Sequence, residues 1–183
     1  MRKIACWLIV FVSVAPLHAQ KFSVSQGEVS FASHAELELI KASSNKLAGI
    51  IDASNNQLAF KVTNQTFTGF NSGLQREHFN EKYMESDQFP ASSFTGKIIE
   101  KIDFSLNGTY EVRVKGELDI HGQKQIRIIK GKLTVRDKTL LIETTFNVPL
   151  ADHNISIPKI VSQKIATEIE VYLVATLMPQ TGG

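Results

Sequence analysis

The side chains best suited to chemistry are His34, His78, His121 and His153, set among carboxylates and serines. A metal site needs two or three such histidines to converge with a carboxylate. They stand one to a segment, with no His-x-His, His-x-x-x-His or His-Glu-x-x-His spacing, so no metal ligand set is expected. Nucleophilic catalysis has no firmer footing. The single cysteine, Cys6, lies in an N-terminal apolar run, there is no Gly-x-Ser-x-Gly, and Ser92-Ser93 has no histidine at a telling spacing. Neither a phosphate-cradling glycine loop nor a dinucleotide fingerprint occurs, so no cofactor and no enzyme activity are expected. Three sequons, at Asn64, Asn107 and Asn154, read as turn chemistry. What remains is apolar. Phe31, Phe60, Phe79, Phe94, Tyr110, Val112, Val114, Ile142, Phe146, Val171 and Leu173 are the candidates for a dry interior, and burial is the chemistry they offer.

These residues must be positioned by strands. From Tyr110 every second residue is apolar or glycine through Ile120, and the alternate set, Thr109 to Asp119, is polar. Period two places one set on each face of a strand. His121-Gly122 turns the chain, and a second apolar run begins at Ile126. There Ile126 and Ile128 are even while Gly131, Leu133 and Val135 are odd, which predicts a β-bulge near Ile129.

The rest of the chain predicts similar pieces. A short strand is expected at 27–31, then a helix at 33–41 from the Ser33-x-x-Glu36 capping pattern, with a strand as its rival because Ala35, Leu37 and Leu39 alternate. A loop at 42–45 precedes strands at 47–51 and 57–63. Ser72-x-x-Gln75 opens a helix through about Met84, and Gln88-Phe89-Pro90 stops it. Strands follow at 92–102, 139–148 and 167–177, with a tight turn at Asn107-Gly108, a looser segment at 149–162 and a frayed tail from Pro179. The sum is an all-β domain with one or two short helices, an eight-stranded antiparallel β-barrel. Such a barrel holds either a packed core or one small ligand.

The N-terminus reads as a secretory signal peptide over residues 1–19: Met1-Arg2-Lys3, an apolar run from Ile4 to Val14, and a small residue at Ala19. The run is short of the roughly 20 residues that span a bilayer, so no stable membrane insertion is expected after cleavage. Residues 20–183 would then form a single domain without cysteine, large enough to fold by burial alone. Of 20 basic residues two are Arg2 and Lys3, which leaves 18 against 18 acidic ones. That balance, with no basic stripe, argues against nucleic acid and against electrostatic docking on an anionic membrane.

The segment Arg76-Glu77-His78-Phe79 through Gln88-Phe89-Pro90, with Phe94 four residues on, resembles the signature region of the YceI-like family, as does Gly116-Glu117-Leu118-Asp119-Ile120-His121-Gly122 at the end of a long strand. The resemblance covers about Lys21 to Leu177. It implies a lipocalin-like barrel exported to the periplasm, with an elongated apolar cavity that in some members holds a polyisoprenoid or similar long-chain lipid. On that basis the expected function is an exported, periplasmic or secreted, lipid-binding protein whose partner is a long-chain lipid or isoprenoid. A polar head at the mouth would meet Arg76 and His78, although Glu77, Glu81 and Glu85 make the same segment acidic. The alternative is a filled-core barrel acting as an envelope or stress-associated interaction protein through its surface. A homodimer stays open.

Overall fold

A computed structural model describes residues 21–180, so the expected signal peptide lies outside the described residues. The strand segments are β1 Lys21–His34, β2 Leu39–Ser44, β3 Ala48–Asp52, β4 Gln57–Thr63, β5 Ala91–Ile98, β6 Gly108–Ile120, β7 Gln123–Arg136, β8 Thr139–Pro149 and β9 Glu168–Pro179. One edge of β1 carries β9. The other carries β2 along Val29–His34 and β3 along Lys21–Ser23. β2 and β3 thus act as one bent strand, and the antiparallel order closes as an eight-stranded barrel. Closure removes the two terminal edges that an open sheet would carry.

The β6–β7 hairpin is regular from Gly108↔Val135 to Ile120↔Gln123, so the expected bulge near Ile129 is absent. Gln125, Arg127, Ile129, Leu133 and Val135 share the inward phase, and Ile126 and Ile128 simply face out. The bulge sits instead in β1, where the register slips between Val24 and Gln26. It moves the inward set from Phe22 and Val24 to Gly27, Val29 and Phe31, and Ser25 Oγ donates to Thr176 O at 3.1 Å.

Residues 33–41 are not a helix. β1 runs on to His34, a tight turn follows with Ala35 N–H on Glu38 O at 3.1 Å, and the expected loop at 42–45 is mostly strand. The Ser33 hydroxyl, which the capping pattern would aim at its own chain direction, accepts the Ala166 N–H at 2.8 Å. Ser72 does cap a helix, α1 Gly73–His78, accepting from Gln75 N–H at 3.2 Å. After one and a half turns the helix widens into a π turn, Phe79–Tyr83. β5 ends at Ile98 rather than 102, and Pro179 belongs to β9. Asn107-Gly108 does not make a hairpin turn: Asn107 Oδ1 accepts Asp137 N–H at 3.0 Å, tying two loops at one end.

The barrel interior divides along its axis. Around the end that carries the β3–β4 and β7–β8 turns it is solid, with Phe22, Ile51, Ile98, Val112, Leu133, Val135, Leu140 and Leu177 at most 2 % exposed. Phe104, from the β5–β6 loop, lies against Phe22 with ring centroids 6.1 Å apart. Curvature is set where Gly96 and Gly116 face each other across β5 and β6; a Cβ on Gly116 would lie 2.7 Å from Gly96 Cα. Toward the other end β7 and β8 part. Their ladder stops at Lys132↔Glu143, and side chains bridge the gap above it. Thr144 Oγ1 donates to Lys130 O at 2.6 Å, and Arg127 donates to Asn147 O at 2.7 Å and to Asp152 Oδ2 at 3.2 Å.

Three carboxylates at the solid end, Asp52 at the close of β3 and Glu100 and Asp103 in the β5–β6 loop, are held below their ordinary range. The Ser54 hydroxyl, then its N–H, lowers Asp52; the Ser105 pair does the same for Asp103; and the Arg113 backbone N–H, then its guanidinium, lowers Glu100. A carboxylate depressed in the folded chain contributes stability above its unfolded pKa, near pH 4, and that contribution is lost as pH falls through the folded value. We expect the thermal midpoint to drop between about pH 5 and pH 3, and Glu100→Gln to flatten part of that slope. A midpoint independent of pH across this window contradicts the assignment.

Candidate ligand cavity

The open half of the barrel encloses a cavity of about 450 Å³. Strands supply one part of its wall: Val29 and Phe31 from β1, Phe60 and Val62 from β4, Phe94 from β5, Leu118 and Ile120 from β6, Phe146 and Val148 from β8, and Ile169, Val171 and Leu173 from β9. The register explains the grouping. Phe146 pairs with Val171 and Val171 with Phe31, while Phe60 pairs with Phe94 and Phe94 with Leu118, so inward residues at one height meet around the barrel.

The remaining wall comes from segment 64–90, which crosses from β4 to β5 and packs an aromatic cluster over the strands. Phe79 is its centre, with ring centroids 5.3 Å from Phe31, 5.7 Å from Phe67 and 5.2 Å from Phe70. Two anchors hold the segment. Thr68 exchanges backbone hydrogen bonds of 2.8 and 2.9 Å with Ser43 of β2. Asn64, fully buried, donates to Phe89 O at 2.7 Å and accepts from Ser92 Oγ at 2.9 Å, closing the loop on itself. Segment 150–167 covers the opposite side with Leu150, Ile155, Val161 and Ile165.

His121 joins the two covers. Its ring meets Glu85 Oε2 at 2.6 Å and His153 O at 3.0 Å, and it stands edge-on to Phe89 at 4.7 Å. It is a turn residue, as its spacing suggests, and also a clasp. His153 is fully buried; its Nδ1 donates to Ile120 O and Gln123 O, and its Nε2 finds no partner among the described residues. His34 lies apart, 3.8 Å from Glu170 in an exposed pair. Among the described residues no group of three or more His, Cys, Asp or Glu side chains is placed to hold a metal ion.

Of the interior residues named from sequence, Phe31, Phe60, Phe79, Phe94, Phe146, Val171 and Leu173 line the cavity. Val112, Val114 and Ile142 belong to the solid half, and Tyr110 packs against it. His78 lines the cavity; Arg76 does not, since its guanidinium turns to Gln65 O at 3.2 Å. The polar side chains at the wall are instead Glu38, Gln75, Lys164 and Tyr83 among others, with Gln75 Nε2 on Glu38 Oε1 at 2.5 Å. Burial pushes the Tyr83 phenol up, so it stays a neutral O–H donor. Phe67 and Phe70 escaped sequence reasoning because they sit in a loop without periodicity; their Phe-x-x-Phe spacing beside a helix start was the available signal. Ile169 and Ile120 shared the phase of residues already named.

The geometry can be compared with known proteins. A polyisoprenoid binding domain from Saccharophagus degradans, implicated in plant cell wall breakdown, superposes with a TM-score of 0.73 at 12% identity, over 87% of this chain and 98% of that one. BcnA of Burkholderia cenocepacia gives 0.68 at 12% identity, over 82% and 95%. The YceI protein of Campylobacter jejuni gives 0.55 at 10% identity, over 100% and 92%. At such identities the likeness is one of fold. No curated protein sequence matches the chain. The family model of the YceI-like domain matches residues 20–177, nearly the whole barrel, and the chain therefore belongs to the YceI-like family.

Proposed function

We propose that this protein is an exported carrier that holds a long-chain apolar molecule, isoprenoid-like or fatty-acid-like, inside its barrel and performs no catalysis. The observation that carries the reading is the 450 Å³ cavity, walled by phenylalanine and aliphatic side chains, in one half of an otherwise solid barrel. Its volume falls in the range of about 300–1,000 Å³ common to small-molecule sites. A chain burying on the order of 400 Å² would gain about 10 kcal/mol gross at roughly 25 cal/mol per Å², before the cost of association. That suffices to keep an insoluble molecule out of water with no reactive group. The polar end would rest near Lys164, His78 and Tyr83. The polyisoprenoid-binding relative supports the ligand class, and the basic-then-apolar N-terminus supports a cleaved leader over 1–19 and a periplasmic or secreted location.

The test is native mass spectrometry of the purified mature protein, followed by organic extraction. A discrete adduct of lipid mass is expected. A bare protein mass, together with no uptake of a fluorescent long-chain fatty acid, overturns the reading and favours the surface-acting alternative.

A further inference from the structure

We infer that the open end of the barrel is a docking surface for a lipid bilayer, the phase from which an apolar ligand would be taken. The inference rests on the cavity reading above, and its own support is the placement of exposed apolar side chains. Leu37 is 64 %, Leu74 59 % and Ile160 92 % exposed, with Leu39 at 45 %. They come from three elements distant in sequence: the β1–β2 turn with the start of β2, α1, and the turn Lys159–Val161. Those elements are joined. Leu37 N–H donates to Gln163 O at 2.9 Å, Asn71 Nδ2 donates to Leu39 O at 3.0 Å, and Gln75 bonds Glu38. Each also lines the cavity, through Glu38 and Ile40, Gln75 and His78, and Val161 and Lys164. The apolar tips therefore surround the part of the barrel where the cavity meets the surface.

The shape and charge of this rim select a bilayer over a protein. The tips are single and separated by polar residues such as Glu36, Lys159 and Ser162, which suits shallow insertion among acyl chains rather than one continuous hydrophobic interface. The outer side of β2 is bridged near its C-terminal end, where Ser43 pairs with Thr68, which shortens the stretch a partner strand could add to. Lys41, Arg76, Lys159 and Lys164 stand against Glu36, Glu38 and Glu77, so the rim is nearly neutral and attachment is apolar, with little dependence on salt.

The experiment is co-flotation of the mature protein with vesicles of phosphatidylethanolamine and phosphatidylglycerol, at low and high salt. The wild type is expected to float at both. Ile160→Glu and Leu37→Glu should each reduce the floated fraction about tenfold, while Ile126→Glu, on the outer face of β7, should not change it. Uptake of a fluorescent long-chain fatty acid, followed in parallel without vesicles, reports the cavity separately. Uptake by wild-type protein that does not float overturns the docking surface and leaves the carrier reading intact. Flotation without uptake supports the docking surface and removes the carrier reading. A dimer that Ile160→Glu splits, with no flotation of wild type, assigns the rim to a second copy and also overturns the proposal.

Discussion

Phe146→Glu should empty the cavity and leave the barrel standing, whereas Val112→Glu should unfold the protein. Both residues belong to inward sets, of β8 and β6 respectively, and sequence alone treats them alike. Phe146 faces open space beside Val171 and is only half-buried, so a carboxylate there can stay solvated through the cavity. It would nonetheless face the ligand chain. An unpaired polar group against hydrocarbon costs on the order of 3 kcal/mol, or roughly a hundredfold in affinity. Val112 is 2 % exposed within the solid half, opposite Gly131, with no partner for a charge. A buried unpaired carboxylate there costs about 5 kcal/mol or more, comparable with the whole stability of a domain. Circular dichroism and uptake of a fluorescent fatty acid, measured on both variants, check the pair. A folded Val112→Glu, or a Phe146→Glu that binds as wild type, contradicts the division of the barrel into two halves.

Gly116→Ala should lower stability by about 3 kcal/mol, the upper part of the range for overpacking, because what the new methyl meets cannot move aside. It would collide with the Thr95 carbonyl, lie 2.7 Å from Gly96 Cα and 2.8 Å from Phe94 Cζ. Two of those are backbone of the paired strand, so relief requires β5 and β6 to separate where the sheet curls. Gly73 is the contrast. It opens α1 with nothing within 4 Å of a would-be Cβ, and Gly73→Ala should be neutral or stabilise by a few tenths of a kcal/mol. Urea denaturation midpoints of the two variants decide the matter; equal midpoints would mean that the close approach at Gly116 has no role in closure.

How far the sequence could be read follows from where its constraints act. The alternation from Tyr110 to Ile120 is local, and it located β6 to within a residue or two. The apolar phase of 139–148 and 167–177 did the same for β8 and β9. Ser33 was misread because its oxygen is taken by an N–H 133 residues away, a contact that no local pattern announces. The bulge was placed at Ile129 because Ile126 and Ile128 are apolar and face out; the real one, at Ser25, hides among Ser23, Ser25 and Gln26, which carry no phase. Cavity and core were inseparable for a similar reason. Period two says which face of a strand is dry, and only the height of each residue in the closed register says whether that face meets another side chain or a void.

The seam between β7 and β8 gives the barrel an uneven stiffness. Below Lys132↔Glu143 the girth is fixed by backbone ladders on every side. Above it that junction is spanned by side-chain bonds from Arg127, Thr144 and Gln125, with His153 Nδ1 on Gln123 O at its far end, and these can be stretched without undoing a strand. The wall is therefore tied by fewer backbone bonds where the void lies than where the filling lies. For the chain ligand proposed above, a container built this way would set no single diameter: a slim saturated tail and a thicker, methyl-branched one should each fit, with the difference absorbed along that stitched line.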